Sequence, residues 1–288
     1  MDKKEIKEKE ATSKINNYSN NSNGKILLMR HGETFFNSDP DKIARLTNIK
    51  YIDPKLNERG IKQSKSVQDI LNKLSFETIY ISPMYRVFQT ISYALENHPD
   101  LAQIKIVVHP LVNEVTSCVQ DYIYDIKKTK SDFNKINSKL NVDWSIFDEY
   151  VKNNKWDENF YYFDNFDCFE DNKKEEIYQK LKNSYDNNDF DSLKIELGNL
   201  AQIRYAQKKR FESLKHMQGR FNKFCEFIKE KHKETMDILD KKILIVTHDS
   251  FIKCATDRSV YETTDIQKYH PNSYNSKNCE IISLTLLD

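Results

Sequence analysis

A chain of 288 residues with 45 basic and 44 acidic side chains has a formal net charge of +1, so no global field draws it to nucleic acid or to an anionic membrane. Its length suits two domains, or one domain with a large insertion. Five cysteines (Cys118, Cys168, Cys225, Cys254 and Cys279) are odd in number and form no C-x-x-C pair, which argues against a disulfide framework or a zinc site and for a reducing compartment.

Residues 1–23 are charged, then rich in Asn and Ser, and are expected to form a disordered tail without a signal peptide. No stretch approaches the roughly 18 consecutive apolar residues of a membrane span, so the expected location is the cytoplasm. Lys25 to Met29 is a short, mostly apolar run patterned as a strand buried on both faces. It ends in Arg30, His31 and Gly32. A guanidinium offers a rigid fork of donors matched to phosphate oxygens, and an imidazole can bind the same anion, shuttle protons or attack phosphorus. A strand-end salt bridge beside a surface histidine would use the same letters, so the rest of the chain decides.

Glu33 to Tyr51 is polar and irregular. After Asp53-Pro54, the segment Leu56-Asn57-Glu58-Arg59-Gly60 opens a helix in which Ile61, Val67, Ile70, Leu71 and Leu74 recur at helical spacing. Thr78 to Ile81 is a second strand, stopped by Ser82-Pro83, and a helix from Met84 to about Asn97 carries Arg86 in its first turn. Ile104 to Val108 is a third strand, closed by His109-Pro110, with Glu114 four residues beyond the proline. Between about 123 and 205 the pattern breaks into Asn, Lys and Asp with aromatic knots at Trp144, Phe147, Tyr150, Trp156 and Phe160 to Phe163, which we read as an inserted, partly ordered cap. A long helix from Ala206 to Lys233 follows, then a fourth buried strand at Lys242 to Val246. Thr247-His248-Asp249-Ser250 leads into a short helix, and Glu280 to Leu287 closes the chain as an edge strand.

Strands alternating with helices predict an α/β fold, a three-layer α/β/α sandwich with a mainly parallel central sheet. The domain spans 24–288 and contains the insertion. In such a sheet, ligands sit in the crevice beyond the carboxyl ends of the strands. Four strands are each followed there by a group suited to phosphate: Arg30 and His31, Arg86, Glu114, and His248. Two arginines and two imidazoles could spread the charge of a phosphoryl group during transfer without a metal. His31 is the best nucleophile, and Glu114 is the acid for the departing alkoxide. For that task it must be protonated near neutral pH, which predicts burial. His98, His109, His216, His232 and His270 carry no such pattern and are expected at the surface or at helix ends.

These residues give the sequence a resemblance to the histidine phosphatase superfamily, which includes phosphoglycerate mutase and the bisphosphatases. Arg30-His31-Gly32-Glu33-Thr34 with Asn37 is similar to R-H-G-E-T/S-x-x-N. Leu56-x-x-x-Gly60-x-x-Gln63 and Ser82-Pro83-x-x-Arg86-x-x-Gln89-Thr90 are similar to two further family segments, and Thr247-His248 stands where the family has a histidine after an apolar strand. The resemblance implies a phosphohistidine mechanism with His31 as nucleophile. Arg30, Arg86 and His248 would hold the phosphoryl group, with Asn37 and Thr34 lending contacts from the loop and Glu114 in the acid position.

Family mutases follow the acid glutamate with Arg-x-Tyr-Gly, whereas Val115 to Asp121 here holds no cation. The expected activity is therefore a metal-independent phosphomonoester hydrolase on small phosphorylated metabolites, without a cofactor. A mutase primed by 2,3-bisphosphoglycerate is the alternative, with Lys208, Lys209 and Arg210 as possible extra cations. A non-catalytic binding protein on the same fold is the second. The expected partner is a small phosphorylated substrate.

Overall fold

In a computed structural model of the protein, which describes residues 25–41, 45–46, 48–123, 125–156, 159–207, 211–235, 241–256 and 276–284, six strands form one sheet in the order β4-β3-β2-β5-β1-β6. Strands β1 (Ile26–Arg30), β2 (Phe76–Ile81), β3 (Lys105–Val108), β4 (Asn141–Asp143) and β5 (Lys242–Thr247) run parallel, and β6 (Ile281–Leu284) lies antiparallel to β1 at the edge. The expected tail, the Lys208 to Arg210 run, His270 and the end of the last predicted strand lie outside the described residues.

The helices are α1 (Phe35–Ser38), α2 (Glu58–Ser66), α3 (Gln68–Leu71), α4 (Tyr85–Ala94), α5 (Ile126–Ile136), α6 (Ser145–Asn153), α7 (Asp171–Asp186), α8 (Phe190–Ala206), α9 (Leu214–Lys231) and α10 (Asp249–Thr256). Alternation along the strands splits the apolar residues between two cores. Leu27, Met29, Leu244 and Val246 face one side with Leu71, Val87, Phe88 and Ile91, while Leu28, Ile243 and Ile245 face the other with Phe221, Phe224, Ile228, Phe251 and Ile252. A sheet covered on both faces explains why its central strands read as continuous apolar runs. This is the α/β/α sandwich the alternation predicts.

Two elements differ from the periodicity reading. The predicted helix from Ala206 starts instead at Leu214, because Phe211 and Glu212 turn inward to donate their backbone N–H groups to the Thr116 carbonyl and Ser213 then caps the helix, accepting from His216 N at 3.1 Å. The stretch 123–205 also contributes strand β4, in parallel register with β3 (Lys105 opposite Asn141), which no sequence pattern marked. Its aromatic knots are buried with the α4 face: Phe147, Trp156, Phe160, Tyr161, Tyr162 and Phe163 share the core of Phe88 and Phe133. A strand of three residues with one apolar side chain has too little alternation to be recognised.

Among the histidines expected at the surface or at helix ends, His98 and His109 are buried, a correction to that expectation. Nε2 of His98 lies 3.2 and 3.1 Å from the Leu71 and Leu74 carbonyls, and His109 sits among the rings of Tyr80, Phe224 and Phe227, where burial pushes its pKa down to about 3. His232, at the end of α9, is also buried, bridging Tyr80 Oη and Glu77. Each has found buried polar or aromatic partners that local sequence does not reveal.

Candidate functional site

The β1 strand carries His31 one residue past its end, where His31 N donates to the Thr247 carbonyl of β5 at 3.0 Å and prolongs the ladder. Ser82 N likewise donates to Val246 O at 3.2 Å, and His109 N to Ile81 O at 2.9 Å, so the ends of β1, β5, β2 and β3 form one rim. The rings of His31 and His248 meet edge to face with centroids 5.2 Å apart. Arg86 lies close enough to depress the pKa of both rings, and its charge also acts on Glu114. The structure thus brings Arg30, His31, Arg86, Glu114 and His248 to one place.

His31 is buried, and its Nδ1 lies 2.7 Å from the Gly32 carbonyl. A carbonyl accepts only, so Nδ1 carries the proton and Nε2 keeps a lone pair. Burial first, then the charges of Arg86 and Arg30, hold its pKa well below the ordinary value, and the ring is neutral. For His248 the network fixes the other tautomer. Ser82 Oγ donates to Asn113 Oδ1 at 3.0 Å, so His248 Nε2 donates to Ser82 Oγ at 2.8 Å. His248 Nδ1, Arg86 Nε and Arg30 Nε are buried without a hydrogen-bond partner. The two guanidinium N–H donors are costly to bury unpartnered and suit an anion's oxygens, whereas His248 Nδ1 in this tautomer carries a lone pair and can accept from a protonated phosphate oxygen.

Both guanidiniums are partly tied down. Arg86, fully buried, donates to Gln120 O at 2.8 Å and pairs with Asp121 at 3.4 Å. Arg30 donates to Ser276 O at 2.6 Å and lies 3.5 Å from Asp249. Asp121, Asp249 and Ser82 were not singled out as site residues, although each sits inside a quoted motif. Glu114 is buried, and desolvation together with the charges of Asp121 and Asp249 pushes its pKa up to about 7. Asp53 behaves the same way, raised to about 7 by burial and opposed by the Arg86 charge, in a left-handed conformation with φ of 42°. Its signal in the sequence was only a turn-prone Asp-Pro pair.

Thr34 and Asn37 form a reciprocal cap on α1. Thr34 N and Oγ1 donate to Asn37 Oδ1 at 3.1 and 2.9 Å, and Asn37 N donates back to Thr34 Oγ1 at 3.3 Å. Thr34 is fully buried, so its hydroxyl serves the loop. The other motif residues clamp the same loop. Gly32 N donates to Thr90 Oγ1 at 2.9 Å, Glu33 N to Gln63 Oε1 at 2.9 Å, and Leu56 N to Gln89 Oε1 at 2.8 Å. Asn57 Nδ2 donates to Glu33 Oε1 at 2.9 Å.

Gly32 and Gly60 make this clamp possible by close approach. A Cβ on Gly60 would stand 2.0 Å from the Glu33 carbonyl oxygen, and one on Gly32 would stand 2.6 Å from the Gly60 carbonyl oxygen. Gly60→Ala must therefore push α2 away from the His31 loop. It is expected to destabilise the fold by about 1–3 kcal/mol or more and to lower activity; urea denaturation with intact midpoint would count against the clamp.

Among the described residues no cluster of three His, Cys, Asp or Glu could hold a metal ion, and no helix is long and apolar enough to cross a membrane. A cavity of about 720 Å³ is lined by segment 35–55, by Tyr85 in α4, and by α5 with the residues before it.

Residues 26–119 match the family model described as histidine phosphatase superfamily (branch 1). The chain is similar to a fructose-2,6-bisphosphatase, TIGAR B, of Danio rerio, with 28% identity over 89 residues covering 31% of this chain and 33% of that protein. It is also similar to a probable phosphatase of Schizosaccharomyces pombe, with 31% identity over 108 residues, 36% of this chain and 48% of that protein. These matches span less than half the length of either relative. A solved ecdysone phosphate phosphatase from Bombyx mori aligns over 89% of this chain and 86% of its own with 13% identity and a TM-score of 0.44, too distant to carry weight. The matched stretch contains Arg30, His31, Arg86 and Glu114 and the whole loop clamp, so over residues 26–119 the chain is similar to the histidine phosphatase superfamily.

Proposed function

We propose that the protein hydrolyses small phosphomonoesters through a phosphohistidine formed on His31. The observation that carries this reading is the His31 ring: Nδ1 is committed to the Gly32 carbonyl, while Nε2 keeps its lone pair in a neutral imidazole facing His248 across 5.2 Å. Arg30 and Arg86 supply positive charge around the phosphoryl group, with the neutral His248 ring beside it, and removing one such charged donor typically costs about 10² to 10³ in rate. Asn37 lends a contact from the loop.

In the first step His31 Nε2 attacks phosphorus in line. The P–N bond forms as the P–O bond to the leaving alcohol breaks, and Glu114 gives its proton to that oxygen. In the second, Glu114 takes a proton from water, whose oxygen attacks phosphorus, and the P–N electrons return to Nε2 as inorganic phosphate leaves. No step requires a metal, so EDTA should leave the rate unchanged.

The acid step sets the pH dependence. Glu114 is raised to about 7, so its protonated form predominates below that pH and is lost above it, while His31 stays neutral throughout. The expected kcat/KM therefore falls as pH rises through about 7. Glu114→Gln should slow alkyl phosphates by about 10² to 10⁴ and activated aryl phosphates far less, because a good leaving group needs no proton. A rate still climbing above pH 9 would remove Glu114 from this role.

Relatives that act on a bisphosphate keep the mutase alternative testable. Supplied with 3-phosphoglycerate and catalytic bisphosphoglycerate, the protein should release inorganic phosphate. Rapid isomerisation to 2-phosphoglycerate with little phosphate would favour the mutase instead.

A further inference from the structure

We infer that the site serves monoesters whose single phosphate is joined to an uncharged, ring-bearing group, and that it discriminates against bisphosphates and phosphorylated acids. This rests on the phosphohydrolase reading above. The link to the site is Arg86. Tyr85 precedes it in α4, and Asp53, which accepts from Tyr85 N at 2.9 Å, lies within reach of its charge. Both residues line the cavity of about 720 Å³, which none of the rim residues Arg30, His31, Arg86, Glu114 and His248 lines. Phe35, four residues after His31, lines it too, and we place the group attached to a phosphate at Arg86 in that space.

The walls suit a flat ring. Phe35, one residue beyond the buried Thr34, is 56% exposed and lines the cavity with Tyr51 and Tyr85. Such rings supply large apolar area with preferred stacking geometry. The charges do not suit a second anion. The lining amines among the described residues are Lys50, Lys55 and Lys128, facing four carboxyls, Asp39, Asp53, Asp125 and Asp132. Lys50 pairs with Asp39 at 3.4 Å and lies over the Tyr51 ring at 4.6 Å, Lys128 pairs with Asp132, and Lys55 lies over the Tyr85 ring at 5.3 Å. A second phosphate would have to strip these amines from their present partners and would meet the carboxylates they neutralise.

The test compares kcat/KM of the full chain for benzyl phosphate, fructose 1,6-bisphosphate and 3-phosphoglycerate. Benzyl alcohol is a poor leaving group like a sugar hydroxyl, so intrinsic reactivity does not decide the order. Benzyl phosphate should lead by at least about tenfold, the scale at which an apolar pocket discriminates, and Phe35→Ala should narrow that lead. Phe35 is exposed, so this variant keeps the fold. If fructose 1,6-bisphosphate or 3-phosphoglycerate matches benzyl phosphate, or if Phe35→Ala leaves the ratio unchanged, the inference fails. The hydrolase reading then still stands, provided that His31→Ala is inactive. No phosphate from any of the three substrates would overturn both.

Discussion

His31→Ala should lose at least about 10⁴ in kcat on any phosphomonoester the wild type hydrolyses, the scale seen when the nucleophile of a concerted catalytic group is removed. The expected size follows from the division of labour at the rim. Arg30, Arg86 and His248 can still bind the phosphate in the variant, so KM should change little, while the buried, neutral imidazole at the end of β1, whose Nε2 lone pair points away from its own hydrogen bond, is gone. Stability should fall only modestly, because the hydrogen bond lost is to the adjacent Gly32 carbonyl. Steady-state kinetics with matched circular dichroism separates the two effects. A variant that is folded and retains more than a few per cent of the wild-type rate would mean that phosphorus is attacked by something else.

The second large effect is expected away from the reacting atoms. Arg220, fully enclosed, donates through Nε and Nη2 to Glu212 at 2.7 and 2.8 Å, and its guanidinium also reaches the carbonyls of Leu111, Asn113 and Glu114 at 2.8, 3.3 and 3.3 Å. Glu212 in turn accepts from Thr116 N at 3.1 Å. One ion pair thus fixes the backbone on both sides of Glu114. Arg220→Met would leave the buried Glu212 without its guanidinium, with only His216 Nδ1 at 2.9 Å and Thr116 N as partners, and should cost about 3–5 kcal/mol. For a chain of this size that lowers Tm by roughly 10 °C. The double variant Arg220→Met with Glu212→Leu should recover part of the loss, because the pair is then replaced by apolar groups. As a positioning residue, Arg220 should also govern the acid step: at a temperature where the variant is folded, the fall in kcat/KM near pH 7 should shift or blur. A single substitution costing less than about 1 kcal/mol would contradict this role.

What was legible in the sequence follows from how local each signal is. The strand ends bearing Arg30, His31, Arg86 and His248 could be placed because parallel topology sends residues more than two hundred positions apart to one rim, and four apolar runs sufficed to argue it. The raised pKa of Glu114 followed from the task it was assigned, and the structure supplies the cause in burial beside Asp121 and Asp249. Pairings that only packing decides were not legible. Asp121 under Arg86, Asp249 beside Arg30 and Ser82 beneath His248 each join residues from different elements. Strand β4 and the burial of His98 and His109 belong to the same class, since a short polar strand and an isolated histidine carry no periodicity. Thr34 shows the limit of motif reasoning in another way: it was read as a phosphate ligand, and its hydroxyl is found capping α1.

The most direct test is to trap the phosphoryl group on the enzyme. Rapid mixing with a labelled monoester, quenching in alkali and peptide mapping should place the label on the peptide containing His31. The label should be absent from His31→Ala and should accumulate in Glu114→Gln when the substrate has a good leaving group. A protein that turns over substrate with no covalent phosphate, or that carries the label on any other residue, would contradict the account.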